Sequence, residues 1–597
     1  MDFIPAALLS ATLAAWSAPV PPRPEIRTKT TELFGERLVD DYHWLRDRKD
    51  PKVLSYLEAE NAYTDWVMAP TKDFQEKLYQ EMLSRIKETD VEVPYRKGGY
   101  FYYSRTEKGL QYPIHCRKRG GLDAPETVIL DLNEMAQGQK YMSLGEFEVS
   151  DDGLLLAYTT DNVGFREYTL FVKDLDTGRL SPEKIAKVGT VAWAADNKTL
   201  FYTVEDHAKR QYRVYRHELG SDPAGDPLVY EEKDERFIVE ISRSRSRALL
   251  YLESASHTTS EFRFLRSSDP SGDWRLISPR RQDHEYYPVD RGELFYIRTN
   301  RAGRNFQVMT APVREPGEER WKELLPHRAE SLIEDFLAFK GHCAIFERES
   351  GVPQLTVLAD CLPRKRRRIE HPEPVYELRP RDNEEFDARL LRYRYQSMVT
   401  PPSVYDYDMG SGAKRLLKRK EVPGYRPEDY RSKRVYATAP DGVRIPISLL
   451  FRKDLAMDGK AGIYLAGYGS YGIPNPALFS SAVFSVVDRG AVFARAHVRG
   501  GGELGKTWHD QGRMRNKKNT FSDFIAAAEH LLKEGYGSGD KLVVHGGSAG
   551  GLLMGAVANM RPELFKGVVM DVPFVDVINT MLDESLPLTV GEFEEWG

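Results

Sequence analysis

Between about Tyr100 and Tyr407 the chain is a succession of short aromatic and β-branched runs separated by Gly, Asp, Asn and Ser turns. The aromatic-centred runs recur at Tyr102, Tyr158, Tyr202, Tyr251, Tyr296, Phe346 and Tyr395, at spacings of 56, 44, 49, 45, 50 and 49 residues. Several units share a layout: a turn such as Ser150-Asp151-Asp152-Gly153 or Ala195-Asp196-Asn197-Lys198, a strand, a polar loop and a further strand (Tyr168 to Lys173, Tyr212 to Arg216). A period of ~40–50 residues carrying several strands suits propeller blades, which close into a ring and so protect their edges. The expectation is a seven-bladed β-propeller over residues 76–410, with an irregular β-sandwich or two sandwiches as the alternative.

After Pro423 the texture changes. Val435 to Ala439 and Ile445 to Phe451 alternate like half-buried strands. Ala461 to Leu465, Ala491 to Ala496, Lys541 to Val544 and Gly567 to Met570 read as buried strands, with helices at Phe521 to Lys533 and Leu552 to Asn559. Strands interleaved with helices predict a mainly parallel sheet covered on both faces, an α/β domain over 411–597. Residues 22–75, with a Pro-rich start and helical patterning from Pro51 to Met68, read as an N-terminal arm expected to associate with that domain. A chain of 597 residues exceeds what one core organises.

Composition narrows the partners. Apolar residues make up 41% and charged residues 29%, ordinary for a soluble globular protein, and a net charge of -5 gives no global field to recruit nucleic acid or an anionic membrane. The basic run Arg364-Lys-Arg-Arg-Arg368 is expected to be a solvated propeller loop. Cys116, Cys343 and Cys361 have neither CxxC nor Cys/His spacing, so no disulfide framework and no zinc site are expected, and a reducing compartment fits best. Residues 1–21 form a weak signal-like or disordered segment: Phe3 to Trp16 is apolar, but Asp2 is the only charge before Arg23, where export signals carry Lys or Arg. The expected location is cytoplasmic, or periplasmic if that segment acts in export.

The chemistry sits in Lys541-Leu-Val-Val-His-Gly-Gly-Ser-Ala-Gly-Gly551, an apolar strand running into GxSxG and then a helix. A serine nucleophile needs a sharp strand-to-helix turn that exposes its oxygen, and small neighbours because that turn is crowded. Ser548 is the candidate nucleophile. The backbone N–H of Ala549 is a candidate oxyanion donor. Tyr468, in the glycine-rich loop Leu465 to Gly472, could offer its phenol or could be a core or stacking tyrosine. Arg499-Gly500-Gly501-Gly502 lacks the Lys-Ser/Thr of a phosphate loop. No cofactor and no metal are expected. Trp508 and His509 read as structural.

Three motifs, Gly467-Tyr468-Gly469-Ser470-Tyr471-Gly472, Arg499-Gly500-Gly501-Gly502-Glu503 with Trp508-His509, and Gly546 to Gly551, resemble the prolyl oligopeptidase family in order and spacing. Within it, Asn559 to Phe565, Gly591-Glu-Phe-Glu-Glu-Trp-Gly597, Tyr42 to Arg46 and Tyr95 to Tyr100 are similar to the oligopeptidase B group. The resemblance implies a seven-bladed propeller joined to an α/β-hydrolase domain, a serine endopeptidase of short basic peptides, and Tyr468 as the side-chain oxyanion donor. It implies that Glu592 and Glu594 receive an Arg or Lys side chain, against a solvated acidic segment as the bland alternative. Ile473-Pro-Asn-Pro-Ala-Leu478 stands where many bacterial relatives carry acidic residues, which argues against a dibasic preference. The triad order in such domains is Ser, then Asp or Glu, then His. No histidine follows Ser548, and His545 is expected to pack or bond locally. The resemblance places the triad Asp and His beyond Gly597, so the expectation is an α/β-hydrolase domain lacking its C-terminal part and a chain with little or no activity. The alternatives are a catalytically dead peptide-binding protein, or a prolyl- or acylaminoacyl-type peptidase or esterase.

Overall fold

The structure, a computed structural model, describes residues 19–597, and the segment expected over residues 1–21 lies outside them up to residue 18. The chain divides into two compact units after Ser84. In the first, an antiparallel hairpin pairs Lys29–Leu33 with Glu36–Asp40, and two helices follow, Pro51–Met68 and Lys72–Ser84. The first helix starts where Asp50 accepts the Lys52 N–H, with Pro51 occupying a position whose N–H would have no partner. The arm expected to end at residue 75 therefore runs to Ser84.

The second unit holds seven consecutive antiparallel sheets, six of four strands and one of five, between Asp90 and Arg419. They are the seven blades. All seven aromatic markers of the repeat fall in the strand second in its sheet, and all seven are buried. That placement explains the repeat: the second strand is covered on both faces by neighbouring blades, so it demands a large apolar side chain in every unit. The outermost strand of blade seven, Lys414–Arg419, is polar and largely exposed, so the predicted boundary at 410 cut it off; the propeller extends to Arg419. The basic run is also corrected in part. Arg366–Ile369 is the outer strand of blade six rather than a loop, with Arg368 paired to Glu349.

The cysteine reading is overturned at one point. Cys343 and Cys361 form a disulfide, both buried, while Cys116 is free. Antiparallel pairing of His342–Glu349 with Val352–Ala359 sets Cys343 against Leu358, and the following turn brings Cys361 back beside it. The link depends on hairpin register, which linear Cys spacing does not reveal.

Blade four carries like charges face to face. Glu240 and Glu253 are cross-strand partners, and burial, then the charge of Glu240, push the Glu253 carboxyl up to about 7 against the pull of Arg298. The folded value lies above the usual 4.5, so the fold bears no cost from this group below pH ~4.5, a growing cost as pH rises, and the full cost above pH ~7. Glu253→Gln is expected to stabilise the chain by about 1–3 kcal/mol at pH 8 and to leave the thermal midpoint unchanged at pH 4. Equal gains at the two pH values would assign the effect to packing instead of charge.

The last domain is a six-stranded sheet in the order Tyr430–Thr438, Arg444–Arg452, Val492–Ala496, Ile463–Ala466, Leu542–Gly547, Gly567–Asp571. The first two strands run antiparallel to their neighbours and the last four are mutually parallel. Helices Lys518–Lys533 and Ala549–Met560 bury Phe524, Leu531, Leu553, Met554 and Val557 in the same core as the central strands. Among the described residues no helix is long and apolar enough to cross a membrane.

Candidate active site

The Leu542–Gly547 strand delivers Ser548 at the end of the sheet, where the parallel strands give way to loops. Ser548 is exposed and adopts φ 55°, ψ −120°, a conformation that L residues avoid and that costs about 1–3 kcal/mol. The bend is held from two sides. Its N–H donates to the Asp571 carbonyl (2.9 Å), and its own carbonyl accepts from Gly551 (2.8 Å) and Phe574 (3.0 Å). Glycine is obligatory at 546, because a Cβ there would lie 2.2 Å from the Gly550 oxygen. Ala549 opens the helix, so its N–H has no intrahelical acceptor and stays beside the serine.

Tyr468 lies against this turn. Its phenol interacts with the Ser548 side chain, and burial, then the charges of Glu592 and Glu595, push the phenol's pKa up, so it remains a donor. The loop that carries Tyr468 rests on the second glycine motif, backbone against backbone. The Gly472 N–H donates to the Gly500 carbonyl (3.0 Å), and a Cβ on Gly500 would sit 2.1 Å from the Gly469 oxygen. Arg499-Gly500-Gly501-Gly502 is thus a bed for the tyrosine loop. Arg499 anchors that bed by its charge-assisted bonds to Asp523 and Asp441.

The three glutamates of Glu592-Phe-Glu-Glu595 take three different positions. The Glu592 Oε2 accepts from the Tyr471 phenol (2.8 Å) and from Trp596 Nε1 (2.9 Å), which places this carboxylate beside the tyrosine loop. Glu594 turns to the propeller, where it accepts from Ser256 Oγ (2.8 Å), the Thr258 N–H (3.1 Å) and Gln282 Nε2 (3.0 Å). Ser548, Tyr468, Ala549 and Glu592 are therefore brought together, whereas both Glu594 oxygens are engaged across the domain boundary.

Glu595, which sequence reasoning passed over, is the buried one. It accepts from the Tyr471 N–H (3.0 Å) and His509 Nε2 (2.6 Å), and Lys517 Nζ lies 3.9 Å away. Burial opposes its charge, but the hydrogen bond and charge of His509 outweigh it and hold the carboxyl below the usual range. Burial lowers Lys517 to about 8 although Glu595 pulls the other way, and its ammonium donates to the Gly469 carbonyl (2.6 Å). His509 is structural, as expected, and the partner that gives it a role is Glu595.

His545 does not reach toward the serine. Its Nε2 is hydrogen-bonded to Asp571 Oδ2 (2.7 Å), so the imidazole nearest in sequence is committed one strand away.

Residues 21–420 match the N-terminal β-propeller domain of prolyl oligopeptidases, and residues 477–597 match the prolyl oligopeptidase family. Dipeptidyl aminopeptidase BI of Pseudoxanthomonas mexicana is 41% identical over 99% of this chain and 84% of its own length. Oligopeptidase B from Leishmania major superposes with a TM-score of 0.91 at 33% identity, over 97% of this chain and 86% of that one. Oligopeptidase B from Trypanosoma brucei with covalently bound antipain, in a closed form, gives 0.92 at 34% identity over the same shares. With a seven-bladed ring, a glycine-bedded tyrosine loop and an outward serine all in place, the chain belongs to the prolyl oligopeptidase family of serine peptidases.

Proposed function

We propose that this chain binds short peptides at an Arg or Lys residue and presents the following carbonyl to Ser548, the acyl-transfer arrangement of an oligopeptidase B-like endopeptidase. The observation that carries this reading is the outward turn at Ser548 with the Tyr468 phenol against it. In the reaction the serine oxygen attacks the carbonyl carbon. The oxygen that gains charge is received by the Tyr468 O–H and the Ala549 N–H, donors worth about 3 kcal/mol each where they have been removed. Glu592 supplies the carboxylate for the basic side chain, while Glu594 is taken up by its own propeller donors.

The serine proton needs a base. All thirteen histidines precede Ser548, and His545 is bound to Asp571. We infer that these 597 residues on their own, with no imidazole bonded to Ser548, have little or no turnover, since a serine acting without its base is slower on the order of a millionfold. It still binds peptides, which is the one respect in which a non-cleaving peptide-binding protein would look the same.

Two measurements test this. A fluorophosphonate probe is expected to leave the purified 597-residue chain unlabelled; stoichiometric labelling that disappears in Ser548→Ala would show that a base is already present. Blocked peptides ending in Arg are expected to bind at least about tenfold more tightly than those ending in citrulline, a neutral near-isostere, and equal affinities would remove the basic specificity. The same titration with a free amine on the residue immediately before the Arg separates endopeptidase from dipeptidyl-type recognition, the activity in the name of the 41% identical relative.

A further inference from the structure

Blade one is built from strands between Asp90 and Asp131 and blade seven from strands between Tyr376 and Arg419, and the two share no strand. Side chains bridge them instead. Lys418 Nζ donates to Asp90 Oδ2 (2.6 Å) and to the Val91 carbonyl (2.5 Å), and Arg381 donates to Glu92 (3.2 Å). Within this seam lies a cavity of about 600 Å³ that has no lining residue in common with the Ser548 site.

The cavity walls hold more positive charge than they neutralise. Six cations line it, Lys87, Arg105, Arg381, Arg394, Lys418 and Lys420, against four carboxylates, Glu88, Asp90, Glu92 and Glu107. Asp90 answers Lys418 and Lys87, Glu92 answers Arg381, Glu107 answers Arg105, and Glu88 lies 3.9 Å from Lys108. Arg394 and Lys420 remain. Neither forms an ion pair or a side-chain hydrogen bond among the described residues, and Arg394 Nε is closed off from water without any acceptor.

Strand register concentrates this surplus on one face of blade seven. Arg394 lies opposite Arg379 on one neighbouring strand and opposite Val404 on the other, and Val404 lies opposite Lys418. Arg379, Arg394 and Lys418 therefore project to the same side, and like charges directly opposite one another weaken a sheet. Burial, then the charge of Arg381, disfavour the Arg394 cation, with Glu92 opposing them.

We propose that the seam cavity binds a diphosphate-type oxyanion, held by Arg394 and Lys420 and flanked by Lys418 and Arg381. Two uncompensated cations call for at least two negative charges, which a single carboxylate does not supply. A guanidinium fork meets phosphate oxygens in pairs, so the stranded Arg394 Nε gains the acceptor it lacks. Lys87 and Arg105 stand on the blade-one side, so the anion couples two blades that share no strand and stiffens the ring at that joint. Ile86 and Leu110, 48% and 44% exposed, also line the cavity and can cover the carbon portion of a phosphate ester. The proposal is independent of the reading of Ser548 and Glu592.

The test is calorimetric titration of the 597-residue chain with pyrophosphate and with ADP, at an ionic strength held constant with NaCl. Pyrophosphate is expected to bind with a Kd below ~100 μM and to raise the thermal midpoint. Arg394→Met combined with Lys420→Met is expected to weaken binding at least about tenfold and to abolish the rise in midpoint, while blocked Arg peptides bind as before and report an intact fold. ADP binding more tightly than pyrophosphate identifies a nucleotide-like ester as the occupant; equal or weaker binding identifies the inorganic anion. The site is overturned if pyrophosphate gives no binding heat, if its affinity survives the double substitution, or if NaCl at matched ionic strength raises the midpoint equally. Should the double variant fail to fold, Lys420→Met alone, at an exposed position, is expected to weaken binding about threefold, and an unchanged affinity there overturns the proposal as well.

Discussion

Glu595→Ala is expected to lower the unfolding free energy of the α/β domain by about 3–5 kcal/mol and to weaken binding of Arg-containing peptides by more than tenfold. The carboxylate is almost wholly buried and answers three groups at once: the His509 imidazole, the Lys517 ammonium and the Tyr471 backbone N–H. Removing it leaves a cation and two donors with no anion in a space closed to water, which is the expensive direction in which to break a buried network. The loss reaches the peptide site through Tyr471, whose phenol is bonded to Glu592 and whose backbone hangs from Glu595. Glu595→Gln keeps an acceptor while removing the charge, so it should recover much of the binding and less of the stability. The readouts are the denaturant midpoint and the emission of Trp596, whose ring lies 4.9 Å from the Lys517 ammonium. An alanine variant with an unchanged midpoint would mean that the three groups find other partners and that Glu595 is not the strut of this site.

What could be read in advance of the fold follows from where each constraint originates. The propeller repeat was legible because the second strand of every blade is buried on both faces, so Tyr102, Tyr158 and their five counterparts answer a local demand repeated seven times. Outer strands face water and carry no such demand, which is why Lys414–Arg419 and Arg366–Ile369 were read as a domain start and a loop. The serine turn was legible for a steric reason, since the contacts at Gly546 and Gly551 exclude any side chain and leave a signature of small residues. The glycines at 500 and 502 were visible too, but their purpose was not. They are small because the Gly469 and Gly472 carbonyls lie against them, a contact between segments about thirty residues apart in sequence. Glu592, Glu594 and Glu595 are chemically identical and nearly adjacent. Only the packed structure sends one to the tyrosine loop, one to the propeller and one into the interior. The Cys343–Cys361 link was hidden for the same reason, because it is set by strand register.

Asp523→Ala is expected to cost about 3–5 kcal/mol and to disturb Tyr468 without touching it. Arg499 and Asp523 are both almost fully buried, and Asp523 accepts from the Arg499 side chain and also from the Arg499 N–H (3.0 Å). Asp523 holds the guanidinium firmly protonated, above its already high ordinary value, so truncation strands a cation that cannot shed its proton. Asp441 remains as a partner at 2.6 Å but is half exposed and cannot replace the buried oxygen pair. Pairing Arg499→Met with Asp523→Leu removes both charges and should recover part of the loss, although the Arg499 N–H stays unsatisfied. A double-mutant cycle on the thermal midpoint is expected to give a coupling of at least about 2 kcal/mol. The functional consequence follows from the bed geometry: the Gly500 carbonyl that supports Gly472 is one residue from Arg499. Peptide affinity should therefore fall in Asp523→Ala and return in the paired apolar variant to the extent that stability returns. If stability falls by the expected amount while peptide affinity does not move, the Arg499 bed supports the core alone and the tyrosine loop holds its own shape.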